Sequence, residues 1–176
     1  EGTKYDETNL VSNTGVVATD TATVATARAE LSACEYGGDK GMFAGGSGPT
    51  TTTNLVSNAG VVASDTTGLP TALRLQAGCR YGTDTGIFGF GNDGSYTGVT
   101  NLISNVGVVA SDTAAVGTAR QNGAACEYGG DKGIFGFGWD GGNTAITNLV
   151  SNTGVVGSDV AGVGTARDNL AACSWG

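Results

Sequence analysis

The sequence predicts a single all-β domain, residues 1–176, built from four repeated units that each fold as a small antiparallel sheet. Three observations predict it: one segment recurs four times, short strand-like runs recur inside each copy, and no helical periodicity with caps is present. The segment TNLVSN starts at Thr8 and Thr53, returns as TNLISN at Thr100, and starts again at Thr147, which gives spacings of 45, 47 and 47 residues. The units are approximately residues 1–38, 39–83, 84–130 and 131–176.

Further landmarks keep the same spacing along the chain. Each unit contains a Val-Val pair, an Asp and a Cys, and an aromatic residue lies two positions after each Cys. The Asp residues are Asp20, Asp65, Asp112 and Asp159, and the Cys residues are Cys34, Cys79, Cys126 and Cys173. Because the Asp recurs in every unit, we expect its side chain to cap a backbone amide in a turn. Four such units leave no room for a second domain or a linker.

Each unit contains four strand candidates. The run GIFGFG, at Gly86–Gly91 and Gly133–Gly138, is short, aromatic and bounded by Gly and Asp, as strands are. The run NLVSNTGVV is rich in β-branched residues, and its centre predicts either a bulge or a tight turn. The run SDTAAVGTAR predicts a weak third strand, and LAACEYG or LAACSWG predicts a small-residue strand. A helix over Thr21–Cys34 is excluded because Pro70 interrupts the corresponding segment of the next copy, Gly68–Cys79.

Four strands in about 46 residues are typical of a β-propeller blade. The chain starts inside a unit and stops directly after LAACSWG. The sequence therefore predicts a four-repeat β-propeller whose ring is closed by the N- and C-terminal strands, which together complete one blade. The alternative is closure between chains, in which Leu170–Gly176 pairs with the N-terminus of the next molecule and forms larger rings or filaments.

One ordered set of residues carries a family resemblance. Arg28 is followed by Cys34, a glycine pair at Gly37-Gly38, the apolar-aromatic pair Met42-Phe43 and the diglycine Gly45-Gly46. In this order the chain resembles the kelch repeat over its whole length, and it is similar to the near-identical kelch-like arrays predicted in phage and environmental genomes. The resemblance implies a β-propeller with a virion or surface structural role. Kelch-like propellers include copper oxidases, but this chain has no His to supply the imidazole ligands.

Composition excludes several function classes. The chain has 8 Lys and Arg against 16 Asp and Glu, with no basic cluster, so we expect no nucleic-acid partner. No apolar run approaches the roughly 18 residues of a membrane span, so we expect no membrane insertion. Without His, the commonest general base is missing. Nearly identical units also argue against one asymmetric active site, so we expect neither catalysis nor a cofactor; a glycosidase is the unfavoured enzymatic alternative.

A non-repeated Trp marks the candidate ligand site. Trp139 stands where the neighbouring unit has Asn92, and it lies on a predicted loop with polar neighbours. An exposed aromatic ring beside hydrogen-bonding groups is suited to stacking on a sugar; the alternative is a rim aromatic that covers an adjacent blade. The candidate ligand-binding residues are Trp139, Asp140, Asn143, Asn92, Asp93 and Tyr96.

The four cysteines are predicted to be free and buried. Soft metal sites usually contain local pairs such as C-x-x-C, and a spacing of 45 to 47 residues offers none. Equivalent strands of a four-fold ring also lie too far apart for the Cα separation of about 5.5 Å that a disulfide prefers. We therefore predict no disulfide and no metal site at Cys34, Cys79, Cys126 and Cys173.

The sequence thus predicts a non-enzymatic structural or adhesive β-propeller at an extracellular or virion surface. Carbohydrate is one expected partner, since weak sites on near-identical blades gain avidity on one rigid body. The alternative role is a self-assembling subunit of a filament or appendage, joined by strand exchange between terminal strands.

Overall fold

The computed structural model describes residues 2–174 and contains ten β-strands and no helix in that range, which confirms the all-β prediction. The strands are β1 Ser32–Tyr36, β2 Lys40–Ala44, β3 Thr52–Val56, β4 Thr66–Thr67, β5 Ala77–Tyr81, β6 Thr85–Gly89, β7 Thr100–Ile103, β8 Ala124–Tyr128, β9 Lys132–Trp139 and β10 Asn143–Val150. Across residues 2–174, no helix is long and apolar enough to cross a membrane.

The strands form three small antiparallel sheets, one from each successive part of the chain. Their orders are β1-β2-β3-β4, β5-β6-β7 and β8-β9-β10. The register repeats with the sequence: Cys34 pairs with Met42, Cys79 with Ile87, and Cys126 with Ile134. The predicted small-residue and GIFGFG strands are therefore neighbours in every sheet.

The NLVSN run turns back on itself, which decides between the two shapes predicted for it. In the first sheet, Val56 forms a bridge to Val62 across a turn at residues 57–60. Gly60 has φ +75°, a left-handed conformation that glycine adopts without steric cost. The Ser57 hydroxyl accepts hydrogen bonds from the turn, including one of 3.1 Å from the Val61 amide. The tight turn is therefore present, and the Val-Val pair forms its returning arm.

The predicted weak third strand is short or absent. In the first sheet it is the two-residue β4, and in the other sheets the isolated bridges Thr100–Thr113 and Thr147–Val160 take its place. Low charge and many small residues give this segment little side-chain area to pack, so only single backbone pairs persist.

Aromatic and aliphatic side chains of one sheet pack against glycines of the next sheet. A Cβ on Gly107 would lie 3.1 Å from Tyr36 Cε2, and one on Gly154 would lie 2.9 Å from Tyr81 Cε2. Tyr36 and Tyr81 are buried, whereas Tyr128 of the third sheet is 37% exposed. Tyr36 and Tyr81 thus pack between sheets, whereas Tyr128 does not. Trp175 lies outside the described residues.

Both terminal segments lack the strands predicted to close a ring. Residues 8–24 form only the bridges Thr8–Thr21 and Val11–Val17, and residues 170–174 form no strand. No hydrogen bond between the described residues joins 8–24 to 165–174. Neither segment has the counterpart of β2, β6 or β9 beside it, so its edge has nothing to pair with. Residues 2–174 contain no closed barrel or propeller, and the four-bladed ring stays a prediction.

Candidate functional site

The structure brings the two candidate aromatic residues together, and it corrects the prediction that Trp139 lies on a loop, since Trp139 belongs to a strand. Trp139 is the last residue of β9, and its indole Nε1 donates a 2.9 Å hydrogen bond to the Tyr96 hydroxyl of the preceding unit. The Trp139 backbone is anchored by reciprocal hydrogen bonds with Gln121, 2.8 and 3.0 Å long. Tyr96 is 39% exposed. The pair forms one aromatic surface, which we call the Trp139–Tyr96 platform.

The two loops at the platform have the same backbone shape. The Ser95 amide donates to Asp93 Oδ1 at 3.1 Å, and the Gly142 amide donates to Asp140 Oδ1 at 3.4 Å. The residues that follow each Asp, Gly94 and Gly141, have φ +122° and +118°. Each carboxylate thus caps its own loop with one oxygen. Since both Asp residues are exposed, their remaining oxygens face solvent beside the platform.

Asn92 and Asn143 differ in what they can contact. Asn92 is buried; its Nδ2 donates to Gln121 Oε1 at 3.0 Å and its Oδ1 accepts from the Gly94 amide at 2.9 Å. Both of its polar atoms are therefore engaged within the protein, and Asn92 supports the loop. Asn143 is exposed at the start of β10 and pairs with Trp139 in the strand register. Asn143 is the amide available at the platform.

A second polar arrangement, which sequence reasoning missed, recurs inside the fold. At the third sheet the segment before β8 lies across β10 and the residues after it. Thr118 donates from its amide and its hydroxyl to Asp159, at 3.1 and 2.7 Å. Arg120 Nη2 donates to Asn148 Oδ1 at 2.8 Å, and Asn148 Nδ2 donates to Asp159 Oδ1 at 2.9 Å. We call this Thr-x-Arg segment with its Asn and Asp acceptors the polar clamp.

The first sheet carries the same polar clamp. Thr26 and Asn54 donate to Asp65, and Arg28 donates to both Asn54 and Asp65. The hydrogen bonds from Asn54 and Thr26 lower the pKa of Asp65 to about 2. At the third sheet burial opposes ionisation of Asp159, yet hydrogen bonds from Thr118 and Asn148 still lower its pKa. Asp65 and Asp159 each accept a hydrogen bond from a backbone amide, but that amide belongs to a distant Thr of the clamp rather than to the turn of the Asp itself. Among residues 2–174 no backbone amide donates to Asp20 or Asp112.

The second sheet carries an incomplete clamp. Leu73 occupies the Arg position, and Asn101 Oδ1 is buried without a hydrogen-bond partner. In the third unit Arg120 stacks on Phe90 at 3.8 Å. The first sheet has Gly45 at the position of Phe90, where a Cβ would lie 2.5 Å from Leu73 O. An Arg at position 73 would have no aromatic ring to stack on, and burial of its charge would be costly.

The terminal segments carry unmatched halves of the clamp. Asn9 Nδ2 donates to Asp20 Oδ1 at 2.8 Å, as in the complete clamps, but no described Thr or Arg donates to Asp20. Arg167 stacks on Phe137 at 4.0 Å and donates to Thr165 O at 3.4 Å, as Arg120 does with Phe90 and Thr118. Among residues 2–174 no carboxylate or Asn side chain accepts from Arg167. The signal in sequence was the joint recurrence of Thr-x-Arg, Asn and Asp.

The cysteines lie along one cleft, with burial that falls towards the C-terminus. All four are free; Cys34 and Cys79 are buried, Cys126 is half-buried and Cys173 is exposed. Burial raises the pKa of Cys34 and raises that of Cys79 to about 12. The prediction that all four are buried is wrong for the last two, because no further sheet covers the third. Within the described range, no group of His, Cys, Asp and Glu has a metal-binding arrangement.

No family model matches the chain, and no curated protein matches it. The kelch resemblance therefore stays a prediction.

Proposed function

We propose that this chain is a non-enzymatic structural subunit of an extracellular or virion surface that associates through its terminal segments. In this proposal residues 165–174 of one copy join residues 8–21 of another and complete one further clamp. Thr165 and Arg167 supply the donors, and Asn9 and Asp20 supply the acceptors. The surfaces differ, so the contact is head-to-tail and extends from copy to copy.

One observation carries the proposal: both unmatched halves already have the geometry of the complete clamps. Arg167 makes the ring contact and the carbonyl contact that Arg120 makes, and Asn9 holds Asp20 as Asn148 holds Asp159. The charges of Arg167 and Asp20 are complementary. Little side-chain ordering is then needed at the contact, which lowers the cost of association.

Two charge-reversal variants test this association. Asp20→Arg spoils the acceptor half and keeps the donor half; Arg167→Asp does the opposite. We expect each variant alone to sediment as a monomer, because like charges then meet at every joint. We expect an equimolar mixture to associate again, because one joint has the wild-type charge pair and the other has the same opposite charges exchanged. Lys40→Asp, at an exposed ion pair with Asp39, is the matched control and should assemble as wild type does. A mixture that stays monomeric would contradict the proposal.

The four-bladed propeller ring is the alternative arrangement of the same contacts. If the three sheets are blades, pairing of residues 165–174 with 8–21 of the same chain would close a ring that has the mass of one chain. Such a ring would place the clamp acceptors and donors together without a second copy. The solution mass of the wild-type chain separates these arrangements.

A second candidate role is carbohydrate adhesion at the Trp139–Tyr96 platform. It is favoured by the pairing of the half-buried Trp139 with the exposed Tyr96, and by the exposed polar residues of the same two loops, Asp93, Asp140 and Asn143. Sugars bind such surfaces by stacking on the ring and by hydrogen bonding at its edge.

A glycan array tests this role with two alanine variants. Trp139→Ala should abolish binding that the wild-type chain shows. Tyr128→Ala, which removes an exposed aromatic residue from a different part of the third sheet, should leave binding unchanged. Equal glycan binding by the wild type and Trp139→Ala would remove the platform from consideration.

A further inference from the structure

A phenylalanine from each following unit fills the space beside the preceding sheet. Phe135 of β9 is 1% exposed, and its ring packs edge-to-face on Phe90 with a centroid distance of 5.2 Å. It lies directly over Gly89, where a Cβ would be 2.9 Å from Phe135 Cζ. Arg120 covers the other side of Phe90. The space left between these groups is only about 10 Å³.

The same site is open at the C-terminal side of the third sheet. Phe137 corresponds to Phe90, Arg167 to Arg120 and Gly136 to Gly89, each 47 residues further along. Arg167 already stacks on Phe137, but the atom nearest to a Cβ on Gly136 is Thr147 Cγ2 at 3.4 Å. Among the described residues no ring takes the position of Phe135. A cleft of about 260 Å³ remains, lined in part by Ile134, Gly136, Phe137, Arg167 and Leu170.

The backbone beside this cleft is also unpaired. In the complete sheets the small-residue strand pairs with the strand that carries the phenylalanine, as β8 does with β9. Residues 171–174 correspond to the first four residues of β8, yet the backbone of residues 170–174 makes no hydrogen bond to another described residue. An extended segment in the cleft would therefore gain main-chain hydrogen bonds as well as a place for its side chain.

We propose that this cleft binds a phenylalanine side chain carried on an extended, glycine-flanked strand of another polypeptide. The chemistry follows from the internal copies, in which GIFGF segments fill the same position and glycine allows the close approach of neighbouring sheets. The inference rests on the proposed association in one respect. When residues 165–174 of one copy contact residues 8–21 of another, no strand between them corresponds to β9, and the bound strand would take that position.

A labelled peptide that copies residues 131–142 tests the site by fluorescence anisotropy. The receptor is the Asp20→Arg chain, whose cleft is intact and whose association is blocked, so that peptide binding is measured apart from assembly. We expect saturable binding, at least tenfold weaker for a peptide with Ala in place of Phe135. If the two peptides bind equally, or neither binds saturably, the cleft proposal is overturned. The proposed association is decided separately by the sedimentation experiment.

Two glycine variants of that receptor locate the bound ring. Gly136→Val fills the floor of the cleft and should abolish peptide binding; Gly142→Val, at a glycine with nothing within 4 Å of its Cβ position, should leave it unchanged. If circular dichroism shows that Gly136→Val is unfolded, Arg167→Gln replaces it and should weaken binding. Equal binding by the cleft variant and by Gly142→Val would overturn the proposal, as would the absence of saturable binding.

Discussion

A single side chain decides whether a clamp is complete, as Arg120 and Leu73 illustrate. Arg120 is 1% exposed, and burial lowers its pKa to about 10 although Asp159 opposes the shift. Its charge is tolerated because Asn148 accepts a hydrogen bond from it and Phe90 lies beneath it. Leu73 avoids the cost of a buried charge and leaves the Asn101 carbonyl unpaired instead.

Arg120→Leu should convert the third clamp into a copy of the second. The variant leaves Asn148 Oδ1 buried without a donor, which typically costs about 1–3 kcal/mol of unfolding free energy. Arg167→Leu is the matched control, because Arg167 is exposed and donates to no Asn; it should cost less than about 1 kcal/mol. Urea unfolding of both variants measures the difference. Equal losses would mean that Asn148 gains nothing from Arg120.

Acid should weaken the first clamp over a defined pH range. The pKa of Asp65 is lowered to about 2 in the fold, so its contribution to stability is complete above about pH 4 and is lost as the pH falls from there towards 2. Asp65→Asn removes the titrating group. Urea midpoints measured from pH 6 to pH 2 should therefore fall less steeply for the variant. A variant that loses stability as steeply as wild type would contradict this role of Asp65.

At the scale of strands and turns, the sequence predicted most of the sheet core. The small-residue and GIFGFG runs alternate in a way that only strands satisfy, and β5, β6, β8 and β9 lie where they were expected. The clamp was not predicted, because its donors and acceptors lie 26 to 41 residues apart and meet only after the sheet has formed. The predicted terminal strands are not formed by residues 8–24 and 170–174. A strand needs a neighbouring strand to pair with, and sequence periodicity does not show whether that neighbour is present.

The packing of one sheet on the next predicts different tolerance at two equivalent glycines. Gly154 and Gly15 have φ +81° and +78°, but a Cβ on Gly154 would meet Tyr81 and Leu102 within 3 Å, whereas Gly15 has nothing within 4 Å. Both alanine variants bear the cost of the left-handed backbone. Gly154→Ala should cost about 1–3 kcal/mol more, from overpacking.

Thermal unfolding measures this difference. For a chain of this length the extra loss corresponds to a melting temperature lower by roughly 3–10 °C than that of Gly15→Ala. Equal melting temperatures for the two variants would mean that the sheets do not pack on each other as described.

At the scale of the whole molecule, the unmatched halves of the clamp lie in the two terminal segments. Each internal unit satisfies its neighbour, whereas Asn9 and Asp20 at one end and Arg167 at the other have no partner of the repeated kind among residues 2–174. The exposed Tyr128 and Cys173 belong to the same open side, since their counterparts Tyr81 and Cys79 are buried by the next sheet. The chain thus presents two complementary surfaces.

The solution mass of the wild-type chain, measured by light scattering over a range of concentrations, tests this account most directly. Head-to-tail association predicts a mass that exceeds that of one chain, 17.3 kDa, and rises with concentration. It also predicts particles that lengthen in negative-stain images. A constant mass equal to that of one chain at every concentration would contradict the account and would favour a ring closed within one chain.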